Sequence, residues 1–228
     1  IEKFWQTKIN YVHQPYVNAE EFLSQADELL GKPVAKEKII LSVGRFFSQL
    51  HNKRQDVLIT FFKDLVALDP AALKGWKLIL VGENEDQDLA KQLVVAAKGF
   101  KIEIIHDISR VELVKIYRKA SFYWHATGYE IDEDEHPEKV EHFGISTLEA
   151  MASKALPIVI NKGGQKEIIG SRLKNCLWDS EAECLSKTLE LINNDLQRAE
   201  LANLAYERSL FFSEKRFKAI LLAMVRVK

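Results

Sequence analysis

Residues 141–160 read EHFGISTLEAMASKALPIVI. A short loop, Glu141 to Gly144, enters a helical stretch that ends near Ala152, and an unbroken apolar run, Leu156 to Ile160, follows. A strand that is apolar at every position, rather than at every second one, belongs in a sheet covered on both faces. The same unit recurs on either side. Towards the N-terminus, Ile39–Val43, Lys77–Val81, Lys101–Ile105 and Ser121–His125 are short strand-like runs, and residues 54–67, 86–98 and 109–119 between them have helical periodicity. Towards the C-terminus, Cys176–Trp178 reads as a short sixth strand, and 180–194, 196–210 and 214–226 as three helices. Strands alternating with helices of about 10 to 15 residues imply βαβ units. The expected fold is α/β, a Rossmann-like doubly wound parallel sheet with C-terminal helices.

Composition narrows the function classes. The chain has 228 residues, a formal net charge of −1 and 47% hydrophobic residues. It can bury a substantial core, and no global field favours nucleic acid or an anionic membrane. No apolar run approaches the roughly 20 residues that span a bilayer. The start, IEKFWQTK, lacks the apolar core of a signal peptide. Two cysteines, Cys176 and Cys184, suggest neither a disulfide framework nor a zinc site, so a cytoplasmic setting is the default expectation. An opening Ile1 raises the expectation of a fragment. Residues 1–35 divide into an extended connector, Tyr11 to Val17, and a helical pattern over 19–31. A domain over 36–195 and C-terminal helices over 196–228 complete the expected organisation.

Doubly wound sheets bind ligands outside the carboxyl ends of their strands. Here those ends are Gly44, Gly82, His106, His125 and the turn Asn161 to Gly164. In the opening stretch, a loop feeding a helix N-terminus offers free N–H groups and a partial positive charge, a site for phosphate. Gly144, without a Cβ, permits close approach. Glu141 and Glu149 suit sugar hydroxyls, which donate hydrogen bonds to carboxylates. Phosphate together with sugar hydroxyls describes a nucleotide-sugar. Arg45 and Lys53 bracket the first loop, GRFFSQLHNKRQ, where two cations would neutralise a diphosphate, although loop cations are also commonly just solvated.

Other chemistries lack their residues. The first loop has only Gly44, so the G-x-G-x-x-G fingerprint of NAD or FAD binding is missing, as is a P-loop. The run Asp132–Glu135 contains a D-x-D pattern, but runs of like charge are solvated as a rule, and a metal would be redundant beside Arg45 and Lys53. His125 and His136 have no ligand spacing to these acids. The segment Gly82–Asp86 reads either as a ligand contact or as a turn whose acid caps the next helix. His106 reads as an ordinary strand-end histidine, and Gly163-Gly164 as a tight turn or a point of close backbone approach.

Glu141, Phe143, Gly144, Glu149, Ala150, Met151 and Ala152 fit the pattern E-x-F-G-x-x-x-x-E-A-M-A. The stretch resembles the E-x7-E motif of retaining glycosyltransferase family 4, and the G-R…K of Arg45 and Lys53 resembles the family's diphosphate-binding pair. The resemblance covers the C-terminal, donor-binding half of a GT-B fold. It implies transfer of a sugar from a nucleotide-sugar, such as a UDP- or GDP-sugar of polysaccharide biosynthesis, to a hydroxyl of a glycan, lipid or other acceptor. It implies Glu141, Arg45 and Lys53 as catalytic groups. It places Gly44, Gly82, Ile108, Phe143, Gly144, Ile145, Ser146, Thr147 and Glu149 around the donor, with Glu141 on the sugar, Glu149 on the ribose, backbone near His106–Ile108 on the base, and no metal or other cofactor. It further implies a missing N-terminal acceptor domain, peripheral contact with the inner face of the membrane through that domain, and a tail helix whose apolar face is partly exposed. The chain departs from the pattern at Arg54, where the family often has glycine, in the turn Gly82–Asp86, which lacks the family's second glycine, and at Ser153-Lys154, where the family usually has glycine; Lys154 is expected to carry roughly 1 kcal/mol of left-handed strain. The competing expectations are a non-catalytic nucleotide-binding module and a nucleotide-sugar epimerase of GT-B architecture. A retaining glycosidase fits the two carboxylates but not the cationic pair or the sheet.

Overall fold

A computed structural model describes residues 14–22, 35–48 and 52–226. Most of the helical pattern over 19–31 and the start of the connector lie outside these residues; Ala19–Phe22 is a 3-10 turn. The described strands are β1 (Glu37–Val43), β2 (Lys77–Gly82), β3 (Ile102–His106), β4 (Ala120–His125), β5 (Leu156–Ile160) and β6 (Leu177–Trp178). They form one sheet in the order β3-β2-β1-β4-β5-β6, with every pair parallel. The helices are α1 (Gln55–Leu68), α2 (Gln87–Ala97), α3 (Arg110–Lys119), α4 (Ile145–Ala152), α5 (Gly164–Ile169), α6 (Glu181–Ile192), α7 (Asp195–Ser209) and α8 (Glu214–Arg226). This is the doubly wound Rossmann-like sheet expected from the alternating pattern. Its strand order reverses between β1 and β4, which opens a crevice at their carboxyl ends.

The pattern of apolar runs follows from this position. Every residue of β4 and of β5 is buried, since helices cover both faces of the sheet centre. Edge strand β3 is covered less, with Glu103 exposed and its other residues half-buried. The core carries large aromatic side chains, among them Trp124, Trp178, Tyr117, Tyr123 and Phe122. The two buried indoles find acceptors, Trp124 Nε1 donating to Thr188 Oγ1 at 3.1 Å and Trp178 Nε1 to the Ile158 carbonyl at 3.3 Å.

Among the described residues, elements not anticipated include the short helix α5, which begins at the second glycine of the pair, and the 3-10 turns Pro137–Lys139 and Ser171–Cys176. The tail divides in two. Phe212 is buried in the domain's own core, whereas Leu221 and Leu222 on α8 are 44% and 56% exposed. Among the described residues, no helix is long and apolar enough to cross a membrane.

Candidate functional site

The carboxyl edge of β1 and β2 is drawn together by backbone. Gly44 N donates to the Val81 carbonyl and Phe46 N to that of Glu83, each at 2.9 Å. A Cβ at Gly82 would lie 2.0 Å from the Gly44 oxygen, so only glycine allows these loops to touch. Phe46 is fully buried and sets its ring edge-on to His106 at 4.6 Å. From the start of α1, buried Gln55 donates to the Gly44 and Arg45 carbonyls at 3.2 and 3.0 Å. The first loop is therefore pinned at both ends, and its return leg delivers Lys53 to the crevice.

There Lys53 meets the loop that precedes α4. Its ammonium lies 2.5 Å from Glu141 Oε2, and both side chains are mostly buried. The same oxygen lies 3.2 Å from His125 Nε2, and Thr127 Oγ1 is 3.2 Å from that nitrogen. Burial opposes the charge on Glu141. The hydrogen bond from His125, with the Lys53 ammonium, outweighs it and holds the carboxyl well below the usual carboxylate range. Burial pushes His125 below its ordinary value against the pull of Glu141, so the neutral ring donates through Nε2. Lysine from the β1 loop, histidine from the end of β4 and glutamate from the approach to α4 thus converge where the strand order reverses.

The N-terminus of α4 is left open. Asp86, Ser109, Ser180 and Asn194 cap α2, α3, α6 and α7 with side-chain hydrogen bonds, whereas α4 starts at Gly144, with φ 103° and no side-chain cap. Thr147 N already donates to the Gly144 carbonyl at 3.0 Å, and the N–H groups before it in this uncapped turn are kept for another acceptor. Buried Thr147 has no hydrogen-bond partner for its hydroxyl. Ser146 is anchored from below, its hydroxyl accepting from Tyr123 at 2.8 Å and its carbonyl from Tyr117 at 3.3 Å. The glycine pair after β5 shapes the loop. Gly164 N donates to the Glu141 carbonyl at 2.8 Å, and Cβ atoms at Gly163 and Gly164 would lie 2.3 Å from that oxygen and 2.5 Å from Phe143 Cα.

One helical turn further, Glu149 is 8% exposed and receives Arg110 Nη1 at 2.7 Å. Arg110 also grips Glu21 with two hydrogen bonds of 2.9 Å. Burial raises the Glu149 carboxyl above its ordinary value, with Arg110 and Tyr117 working against it.

Residues 27–208 match the family of glycosyl transferases, group 1. The chain belongs to this family. Solved structures with the same fold include a glycosyltransferase from Rickettsia africae at 19% identity and TM-score 0.68, covering 96% of this chain and 58% of that one. Anabaena HepE in complex with UDP and glucose has 18% identity and TM-score 0.69, covering 94% and 56%. TarM has 21% identity and TM-score 0.65, covering 84% and 36%. The chain therefore spans between 36% and 58% of the length of these three structures. No curated protein sequence matches it.

Within this group 1 glycosyltransferase fold, the residues singled out from sequence fall into two sets. Gly44, Lys53, Glu141, Gly144, Ser146, Thr147 and Glu149 gather along the β1–β4 crevice and α4. Arg45 stands apart: it is half-exposed, pairs with Glu85 at 3.0 Å and lies beside the Phe47 ring. Gly82 and Ile108 follow β2 and β3 further along the same edge, with Ile108 packed on the core. Phe143 turns its ring to Phe212 at 5.8 Å, so only its backbone faces the loop, and Ile145 is 49% exposed.

The acidic run has a structural use. Asp132 accepts from the N–H groups of Asp134 and Glu135, while Glu133 accepts from Gly163 N at 2.8 Å and pairs with Lys166. The segment Gly82–Asp86 ends as a capped turn, with Asp86 accepting from Asp88 and Leu89 N–H groups at 3.2 and 3.0 Å. Sequence reasoning singled out His125 without assigning it a place in the site, and missed Arg110, Gln55 and Tyr123. A histidine closing a buried strand was the available signal for His125; nothing local marks the other three.

Proposed function

We propose that the chain is the donor-binding part of a retaining, family 4 glycosyltransferase. It would bind a nucleotide-sugar and transfer its sugar to an acceptor hydroxyl. The observation that carries this reading is the contact of Lys53 with Glu141 at 2.5 Å across the sheet's switch point, beside the open first turn of α4. A cation and free N–H groups converge there, as a leaving diphosphate requires. Negative charge develops on that diphosphate as the sugar–oxygen bond breaks, and fixed donors already aimed at it lower the barrier without reorganising. Lys53 and α4 supply them, and Arg45 would join by leaving Glu85, an exposed pair whose rupture costs little. No metal is needed in this scheme, since these groups meet the diphosphate's charge.

Glu141, kept ionised, accepts hydrogen bonds from sugar hydroxyls, and His125 fixes its orientation. Glu149 would accept those of the ribose. The acceptor is a glycan, lipid or other hydroxyl compound, bound in an N-terminal domain beyond this chain. That domain would work at the cytoplasmic face of a membrane, so the chain alone binds donor but transfers slowly. The test is a thermal-shift panel of UDP, GDP, ADP and their sugars, followed by proton NMR of the sugar released from the donor that responds. The expected result is a rise in melting temperature with one base and retained anomeric configuration. A flat response to all nucleotides contradicts donor binding, and an inverted product contradicts retention.

A further inference from the structure

Arg110 sits at the first position of α3, yet its guanidinium is taken up by two carboxylates from elsewhere. Nε and Nη2 take Glu21 in a parallel fork at 2.9 Å each, and Nη1 reaches Glu149 Oε1 at 2.7 Å. The guanidinium lies 5.2 Å from the centroid of the Phe22 ring, which is itself edge-on to Tyr117 at 5.6 Å. Phe22 and Tyr117 are buried, so the turn Ala19–Phe22 is docked against α3 and α4 and holds the arginine from behind.

Resting on the donor-site reading, we infer that Arg110 is the positioning residue of Glu149. With Glu21 behind it, Arg110 holds the buried carboxylate as a fixed acceptor for the ribose hydroxyls of a nucleoside diphosphate. A guanidinium fork is rigid, and with two of its edges fixed by Glu21 the third can hold Glu149 in one place. Besides the Tyr117 hydroxyl, which also hydrogen-bonds to the carboxylate, Arg110 grips Glu149 at Oε1. It also opposes the effect of burial. Without the cation, a carboxyl raised by desolvation would rise further, protonate nearer to neutral pH and cease to be a strong acceptor. The groups facing Glu149 are Arg110 and Tyr117 from α3 and Glu21 from the docked turn, with Tyr123 of β4 within reach of its charge. Of these only Arg110 is a cation. The device also ties ribose recognition to the segment that enters the domain, because Glu21 belongs to it.

The experiment is calorimetric titration of the full chain with the nucleoside diphosphate it binds, at about pH 7.5 and about pH 5.5. The variants are Arg110→Met, Arg110→Lys and Glu21→Gln. Arg110→Met should weaken binding about tenfold at the higher pH, with a penalty that grows at the lower pH as Glu149 protonates. Arg110→Lys keeps the charge and loses the fork, so it should retain the pH profile of the wild type with an intermediate affinity. Glu21→Gln should weaken binding by about threefold, because it loosens the arginine. A purely structural role would move affinity equally at both pH values. A pH-independent penalty in Arg110→Met, or unchanged affinity in it, overturns the inference alone. Where Arg110→Met does not fold, Glu21→Gln and Arg110→Lys decide, and wild-type affinity in both overturns it. A wild-type chain that binds no nucleoside diphosphate overturns the donor-site reading and this inference together.

Discussion

Glu141 is the side chain on which the site turns, since Lys53 and His125 share one of its oxygens. Its carboxyl is held below the ordinary value, so it binds a proton less readily folded than unfolded. It therefore adds stability at neutral pH that is lost as pH falls from the ordinary carboxylate value towards the folded one. Glu141→Gln removes this contribution and should cost roughly 2 kcal/mol at neutral pH. The gap between the two proteins should close progressively as pH falls below about 4, where the carboxyl of the unfolded chain takes up its proton while the folded one stays ionised. Urea unfolding across that range measures it, and a gap that stays constant would show that Glu141 is not ionised in the fold. Lys53 and Glu141 stood out as candidates because polar groups in strand-end loops of an otherwise apolar pattern are conspicuous, and Glu149 because it is a carboxylate in the apolar helix that follows. Their partners were not. The pairing of Glu149 with Arg110 and Glu21 joins three segments far apart in sequence, and no local rule encodes it.

Helix ends explain two of the places where the chain lacks a glycine that the sequence resemblance leads one to expect. Arg54, at the N-cap of α1, has φ 51°, and Lys154, just past α4, has φ 59°. Both are left-handed positions that glycine enters without strain. Arg54 offsets its strain by donating to the Tyr129 carbonyl at 2.9 Å and lying over that ring, which ties the loop after β4 to α1. Lys154 has only an ammonium 5.2 Å from the Tyr206 ring. Lys154→Gly should therefore relieve roughly 1 kcal/mol of strain against a loss of about 0.5 kcal/mol from the ring contact, for a small net gain in stability. Denaturant unfolding gives the answer directly, and a loss of stability would mean that the Tyr206 contact dominates. The strands and helices were readable from periodicity to within a residue or two, because burial on both faces leaves an apolar signature. The short helix α5 was not, since its six residues are too few to show a period and the two glycines that open it, Gly163 at the cap and Gly164 as first residue, are set by the Glu141 loop they touch.

Taken whole, the molecule is a doubly wound sheet with a site on one edge and an incompletely covered tail at its side. The strand order places β1 beside β4, and so sets the Lys53 loop opposite the Glu141 loop. Sequence pattern predicted the alternation, but adjacency of β1 and β4 comes from the crossover through β2 and β3. On α8, Leu221 and Leu222 remain open to solvent while Phe217 reaches back to Tyr16, ring centroids 5.0 Å apart. The tail thus rests on the entering segment rather than on the sheet. The measurement that bears most directly on the donor site is calorimetric titration of UDP, GDP and ADP into the wild-type chain and Lys53→Met. The account predicts that one nucleoside diphosphate binds and that Lys53→Met weakens it by about tenfold or more, the loss of one charged hydrogen bond to phosphate. Equal affinity of the two proteins, or no binding to either, would contradict it.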